Sequence, residues 1–339
     1  IDACLVGSEM CIRDSDSQVP TGSSMRKANL IIGILILTSL SSAVSVAAPS
    51  TSTPESTGAL FGGQSFDVNA SEASTTNLSE LPPVVEVYTA TWCSNCVDVE
   101  HALDNIENDT NLQQYHIHRA INEAQDPLGS IEIDQRFHDR YGISAPPVVV
   151  MNGSLMKVGS VTDYDSLETE FTEMTQSVNA VGTGNSMNGT SMFSWNSTSN
   201  TTGVASWALE LENHSIDATT GVTLSAYAWI VEYSAYFGEG TNGLGDYPHV
   251  VRGIVELGEI ELHSDAIVGS GSSEITLPAA YDENDLSVHL IYQFNVPAEE
   301  PEPVNPPTDT TSPEDESVPA ASLLASLCVV LGAALIRRE

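Results

Sequence analysis

Two cysteines three positions apart, Cys93 and Cys96, are the residues of this 339-residue chain with the clearest capacity for chemistry. The other three cysteines precede the first plausible start, Met25, or lie in a C-terminal apolar run. A C-x-x-C pair can exchange disulfides with a partner, form a structural disulfide, or supply half of a zinc site. A tetrahedral zinc site needs two more ligands, and the sequence offers no further cysteine or clustered histidine for them. The spacing therefore favours redox chemistry.

The residues around the pair predict a strand, a loop and a helix. Residues 84–88 are a strand-like run rich in valine, and residues 97–106 carry apolar side chains at helical spacing. Cys93 would then lie at the helix N-terminus, where unpaired backbone N–H groups favour a thiolate. We expect Cys93 to be the attacking sulfur. Cys96, one turn further along and more enclosed, would resolve the mixed disulfide.

The chain that follows predicts an alternation of strands and helices. Gly142 closes a helical pattern, and Asn152-Gly153 is a strong signal for a tight hairpin. We expect strands over residues 115–121, 148–151 and 155–158, and helices over residues 131–141 and 164–178.

The segment 82–178 resembles the thioredoxin superfamily. It contains Trp92-Cys93-Ser94-Asn95-Cys96 at a strand-to-helix turn and, about fifty residues later, Tyr141-Gly142-Ile143-Ser144-Ala145-Pro146-Pro147. The resemblance implies an α/β thioredoxin-like domain. It also implies that Pro147 is a cis-proline that shapes the substrate cleft beside the sulfurs, and that Trp92 packs beside the thiol.

The same resemblance implies a buried acid that accepts the proton of the second cysteine. In thioredoxin this acid precedes the first cysteine by six positions, where this chain has Val87. Glu86, one residue further back, is the candidate for a supporting role. The dipeptide Ser94-Asn95 matches neither the strongly oxidising nor the reducing members of the superfamily, so the direction of electron flow stays open.

The second half of the chain has the pattern of an all-β domain. Apolar side chains alternate with a period of two in several runs, which predicts a small antiparallel β-sandwich over residues 204–297. Residues 179–203 are rich in Gly, Asn, Ser and Thr and are expected to be a linker. Glycosylation sequons predict a glycoprotein and lie at Asn69, Asn77, Asn108, Asn152, Asn188, Asn196, Asn200 and Asn213, of which Asn152, in the hairpin, is the weakest.

The flanking segments predict export and anchoring. Residues 25–47 have the charged start, apolar run and small-residue end of a signal peptide, and residues 1–24 resemble a non-native leader. Residues 318–336 form an apolar run that ends at Arg337-Arg338 and is long enough to span a bilayer, which puts the preceding chain outside the cell. This tail resembles those of archaeal surface proteins. Residues 48–81 are expected to be flexible, and residues 298–317 to be an acidic stalk.

The charge of the chain excludes one class of partner. Its 46 acidic and 10 basic residues give a net charge of −36. Nucleic-acid binding needs a basic surface that neutralises phosphates, and the sequence has no basic stripe. We therefore expect no nucleic-acid partner and interpret the acidity as an adaptation to salty surroundings.

Two weaker patterns have two interpretations each. His116 and His118 lie two apart on a predicted strand, as metal ligands sometimes do, but ordinary, partly exposed strand residues are the better expectation because no third ligand is apparent. Glu232 and Arg252 flank a Gly-rich loop and are expected to pair across neighbouring strands.

These observations predict a membrane-anchored, extracytoplasmic thiol-disulfide oxidoreductase. It would act on protein disulfides or thiols, with no cofactor and no metal, and a separate redox partner would reset it. The alternative is a surface-anchored interaction protein that keeps a structural disulfide and binds its ligand through the β-sandwich.

Overall fold

The computed structural model describes residues 58–180, 188–212, 221–262, 266–282 and 285–297. The predicted leader, signal peptide, stalk and membrane segment lie outside these residues. Among the described residues, no helix is long and apolar enough to cross a membrane.

Twelve strands and three α-helices make up the described chain. The strands are β1 (Leu60–Asp67), β2 (Ser71–Asn77), β3 (Val84–Thr89), β4 (Gln113–His118), β5 (Val148–Met151), β6 (Leu155–Val158), β7 (Asn188–Ser199), β8 (Thr202–Glu212), β9 (Thr223–Tyr236), β10 (Asp246–Ile260), β11 (Ala266–Thr276) and β12 (Leu286–Asn295). The helices are α1 (Ser94–Thr110), α2 (Ile131–Tyr141) and α3 (Leu167–Ala180), and a 3-10 helix spans Leu78–Glu80.

The strands form two sheets that pack face to face. One sheet has eight strands in the order β1-β12-β9-β10-β4-β3-β5-β6, and the other has four in the order β11-β8-β7-β2. Their shared core contains Trp195 and Trp207, and Gly203 leaves room for the first ring, since a Cβ there would lie 2.1 Å from Trp195. The predicted antiparallel sandwich is therefore present in a mostly β molecule.

The eight-stranded sheet runs through both predicted domains. Strand β10 pairs in parallel with β4, with Val250 opposite His116, and so joins the sandwich to the segment that holds the cysteines. A second core is built from both sides of this junction, and it includes Tyr115 with Trp229 and Val251. The described residues therefore form one continuous structure, where the sequence pattern predicted two domains joined by a linker.

Two segments that were expected to lack structure contain strands. Residues 48–81 were predicted to be flexible, but β1 and β2 lie within them and pair with β12 and β7. Nearly half of the predicted linker, residues 179–203, is strand β7. Both expectations are corrected here. Strands β1 and β2 lie at sheet edges, and β7 buries only one of its faces. Such strands need few large apolar residues, so their composition resembles that of a loop.

The helices lie on the two faces of the sheet around β3. Helices α1 and α3 contribute to a core with Val85 and Val87 on one face, whereas α2 packs over Tyr88 on the other. Gly142 ends α2 in the left-handed conformation, with φ of 67°, and donates its N–H to the carbonyl of His138 at 2.8 Å. The predicted end of this helix at Gly142 is confirmed.

Candidate functional site

Cys93 and Cys96 form a disulfide where strand β3 turns into helix α1. Cys93 is the N-cap residue of α1 and its N–H donates to the carbonyl of Ala90 at 2.9 Å. The two sulfur-bearing residues differ in exposure, since Cys93 is 6% exposed and Cys96 is fully buried. A partner that approaches from solvent would therefore meet Cys93 first.

The loop before the disulfide is held from two directions. The Thr91 N–H donates to Asp126 Oδ2 at 2.9 Å, which attaches the loop to the chain that follows β4. The Thr91 carbonyl accepts the N–H groups of Thr241 and Asn242, at 3.0 and 3.1 Å, from the loop between β9 and β10. The sandwich therefore contributes directly to the position of the cysteine loop, which the sequence did not indicate.

Trp92 lies beside the disulfide and lines a groove. Its indole N–H donates to the Glu123 carboxylate, and its ring packs against the cluster of Ala90 and the two cysteines. The groove has a volume of about 510 Å³ and is lined by Trp92, Arg119, Glu123, Gln125 and Thr241. An open groove of this kind next to a sulfur can hold a segment of another molecule.

Pro147 is buried and follows a cis peptide bond from Pro146. Its carbonyl accepts the Gly159 N–H at 2.9 Å, which holds the end of β6 beside it. The chain before the two prolines is fixed by Arg119, whose Nη1 donates to the Ser144 carbonyl at 2.6 Å. The bond before Pro147 has the isomer that the thioredoxin resemblance implies.

Glu86 does not lie on the face of β3 that supports the cysteines. It is fully buried, but it shares the face of Val84 and Tyr88, opposite to α1. Its carboxylate pairs with Arg136 Nη1 at 2.7 Å and accepts the Tyr141 hydroxyl. The structure therefore places Glu86, the candidate for a supporting role, away from the cysteines, because successive strand residues point to opposite faces and Glu86 falls on the other one.

A different buried acid, Glu100, lies on the same side of β3 as the cysteines. It is 2% exposed, follows Cys96 by four positions on α1, and accepts a hydrogen bond from the Thr89 hydroxyl at the end of β3. Burial is the largest influence on its pKa and raises it. The sequence contained one signal for this residue, since Glu100 interrupts the apolar stripe of Val99 and Leu103.

The two histidines of β4 are both buried, which differs from the expected partial exposure. His116 lies against Gln114 and the ring of His249, whereas His118 Nδ1 lies 2.8 Å from Asp126 Oδ2. Burial, the largest cause, lowers the pKa of His116 well below its usual value. The pair does not share a ligand position, because each ring has its own partner.

Among the described residues, one group offers three possible metal ligands close together. One atom each of Asp104, Glu107 and His249 lies within 4.8 Å of the others. Asp104 is exposed and already accepts a hydrogen bond from Gln114 at 3.0 Å. Proximity of such groups on a helix surface is common without an ion, so we assign no metal site. The predicted pairing of Glu232 with Arg252 is confirmed, with Oε2 and Nε 3.3 Å apart.

Two of the solved structures that match this chain show low similarity to it. No family model and no curated protein matches the sequence. HBP35 of Porphyromonas gingivalis is 14% identical with a TM-score of 0.43, and the match covers 70% of this chain and 80% of that one. Protein AGR_C_4864 from Agrobacterium tumefaciens is 16% identical with a TM-score of 0.38, and the match covers 58% and 78%. Similarity at this level carries no argument about fold or function.

Proposed function

We propose that this protein is a thiol-disulfide oxidoreductase of the thioredoxin-like type, in which Cys93 and Cys96 exchange a disulfide with protein substrates. One observation carries the proposal: a strand-to-helix turn holds a disulfide whose first sulfur lies at a helix N-terminus and whose second sulfur is fully buried. The helix terminus would stabilise a Cys93 thiolate, and burial would reserve Cys96 for the second step.

Neighbouring groups support the same chemistry. Trp92 and Arg119 line a groove beside the disulfide, and the cis bond before Pro147 agrees with the resemblance. The substrate would be an extended protein segment with a disulfide or a thiol. The predicted signal peptide and the predicted membrane segment at 318–336 lie outside the described residues. From these two sequence predictions we propose an extracytoplasmic site of action and a tether to the membrane.

The first test measures the reduction potential of the Cys93–Cys96 pair in the full chain. The protein would be equilibrated with glutathione and dithiothreitol buffers, alkylated, and read out on the peptide that contains both cysteines, so that the other three do not contribute. We expect a value between about −120 and −270 mV, the range of known exchange proteins. A value below about −300 mV would instead indicate a structural disulfide and favour a binding role for the sandwich.

The second test distinguishes the two cysteines. Cys93→Ser should abolish reduction of a disulfide substrate, because it removes the attacking sulfur. Cys96→Ser should still attack and should accumulate a covalent mixed disulfide, because the resolving sulfur is missing. Mass spectrometry detects the trapped complex, and equal trapping by both variants would contradict the assigned order.

A further inference from the structure

Glu100 is a buried acid that forms no ion pair within the described part of the chain. No Lys or Arg of the described chain forms an ion pair with it, although Glu86, on the other face of β3, has one. Burial of a carboxyl group without an ionic partner is costly, because the charged form loses its hydration. The burial of Glu100 without an ionic partner, about one helical turn after Cys96, therefore requires an explanation.

The geometry of α1 brings Glu100 to Cys96. Residues four apart on a helix lie on one face with their Cβ atoms about 5–6 Å apart, and a glutamate side chain can span that separation. Both residues are buried, at 2% and 0% exposure, in the space between α1 and the sheet. The thiol of a reduced Cys96 would therefore have the Glu100 carboxyl as its nearest ionisable neighbour along the helix.

The groups around Glu100 come from each packed element and have opposing influences. On β4, His118 favours the ionised carboxylate, as does His101 of α1, whereas Asp104 of α1 opposes it. The His118 ring is fully buried and bonds Asp126 through Nδ1, while no described residue makes a hydrogen bond to its Nε2. The negative charges of Asp126 and Glu100 both raise the pKa of Tyr247. The groups that surround Glu100 are therefore Thr89, His101, Asp104, His118, Asp126 and Tyr247.

We propose that Glu100 is the proton acceptor for Cys96 in the resolving step, and that the buried His118 ring, held by Asp126, favours the ionised state of Glu100. This inference rests on the proposed function. It assigns to a helix residue the role that the resemblance placed on β3.

The step balances as follows in the direction of substrate reduction. The Cys93 thiolate attacks one sulfur of a substrate disulfide, and the other sulfur leaves as the first thiolate, which takes a proton from water. The Cys96 S–H proton then passes to the Glu100 carboxylate. The new Cys96 thiolate attacks Cys93 Sγ, so that the Cys93–Cys96 bond forms and the Cys93–substrate bond breaks. The remaining substrate sulfur leaves as a second thiolate, which also takes a proton from water. The cysteine pair loses two electrons, the substrate disulfide gains them, and Glu100 later returns its proton to solvent.

The test compares the two half-steps in Glu100→Gln. The full chain would be reduced and mixed with a peptide disulfide between pH 5 and 9, and the release of the second peptide thiol would be followed in a stopped-flow instrument. At pH 7 we expect Glu100→Gln to slow resolution by about a hundredfold, the usual scale of general-base catalysis. The first step, measured in a Cys96→Ser background with and without Glu100→Gln, should keep its rate.

The pH profile separates this role from a structural one. In the unmodified protein the resolving rate should rise with pH and level off as Glu100 ionises. In Glu100→Gln the resolving rate should rise with pH without this levelling off, the break in the profile, because only the thiol titrates. The resolving rates of the two proteins should approach each other at high pH. Glu100→Asp should recover part of the rate, and His118→Gln should move the break to higher pH.

Glu86→Gln is the matched control, because it removes an equally buried glutamate that lies on the face of β3 opposite to α1 and Glu100. It should leave both half-steps unchanged. A wild-type rate and profile in a folded Glu100→Gln would overturn the proton-acceptor role and leave the oxidoreductase intact. If the unmodified protein itself fails to attack the peptide disulfide, the proposed function is the part that fails.

Discussion

His289 is a buried histidine that connects the two halves of the molecule. Its Nδ1 lies 3.2 Å from the Tyr115 hydroxyl of β4 and its Nε2 lies 2.8 Å from the Ser287 hydroxyl of β12. Burial, the largest cause, lowers its pKa from 6.5 to about 3. The folded protein therefore keeps this ring neutral at pH values where the unfolded chain would protonate it.

The consequence is a loss of stability in mild acid. Because the pKa is depressed on folding, the contribution of His289 is complete above pH 6.5 and is lost as the pH falls from there towards about 3. We expect the urea midpoint to fall between pH 7 and 4, with a share on the order of a few kcal/mol that disappears in His289→Gln. Exposed His101→Gln is the control and should keep the acid dependence of the unmodified protein. Identical slopes for all three proteins would contradict the assignment.

Among single residues, the sequence predicted the position of the cysteine pair more accurately than its surroundings. Cys93 and Cys96 are local in sequence, so their joint position at the start of a helix follows from the pattern. Glu100 was missed because its significance depends on the rotation of α1 over β3. Thr241 was missed because it reaches the cysteine loop from about 150 residues away, which no local pattern records.

At the scale of elements, β3 divides the site from the rest of the core. Its residues alternate between the α1 face and the α2 face, and the two buried glutamates near it are separated by this alternation. Glu86 faces α2 and pairs with Arg136, which also donates to Gln293 of β12 at 2.9 Å. Glu86 therefore belongs to the structural framework and Glu100 to the site.

This division predicts different outcomes for two similar substitutions. Glu86→Gln should destabilise the protein by roughly 3 kcal/mol, because it leaves the largely buried Arg136 without its counter-charge. The same substitution should leave the reduction potential of the cysteine pair unchanged. Denaturant unfolding and the redox titration, applied to Glu86→Gln and Glu100→Gln together, check both statements. A shifted potential in Glu86→Gln would mean that the two faces are coupled.

The elements with strong apolar periodicity were predicted well, and those without it were not. Helix α2 has the expected bounds, and the hairpin at Asn152-Gly153 is present, with φ of 47° and 68°. Strand β2 lies at a sheet edge and has no large apolar residue, and the middle of β11 is a run of Gly and Ser in which Gly271 lies against the Trp207 ring. Such strands are specified by their neighbours, so the sequence pattern alone could not reveal them.

For the molecule as a whole, the parallel pairing of β10 with β4 is the feature that most changes the predicted organisation. Without it, β4 would be an edge strand paired only with β3, and the core around Tyr115 would lose Trp229, Val231, Val251 and Ile291. These side chains all come from strands of the predicted second domain. The segment that holds the cysteines is therefore completed by the sandwich.

Truncation tests this dependence. Residues 82–178 expressed alone should be insoluble or should unfold without cooperativity, because a large apolar surface and a bare strand edge become exposed. Residues 58–297 are the matched control and should unfold in one cooperative transition. Circular dichroism during heating and sedimentation velocity provide the readout. A soluble, cooperative 82–178 fragment would show that the two halves are independent units after all.

The first and last strands of the described chain determine how the disulfide can be presented to a partner. Phe294 donates its N–H to the Ala59 carbonyl, and Leu60 donates to the Asn152 carbonyl, so the chain enters and leaves the structure side by side. Asn152 in turn donates to the Val84 carbonyl at the start of β3, whereas the disulfide follows the far end of that strand. Both ends of the described chain therefore lie on the side away from the sulfurs. An attachment at either end would leave the loop of Cys93 unobstructed, so that even a bulky protein could approach it.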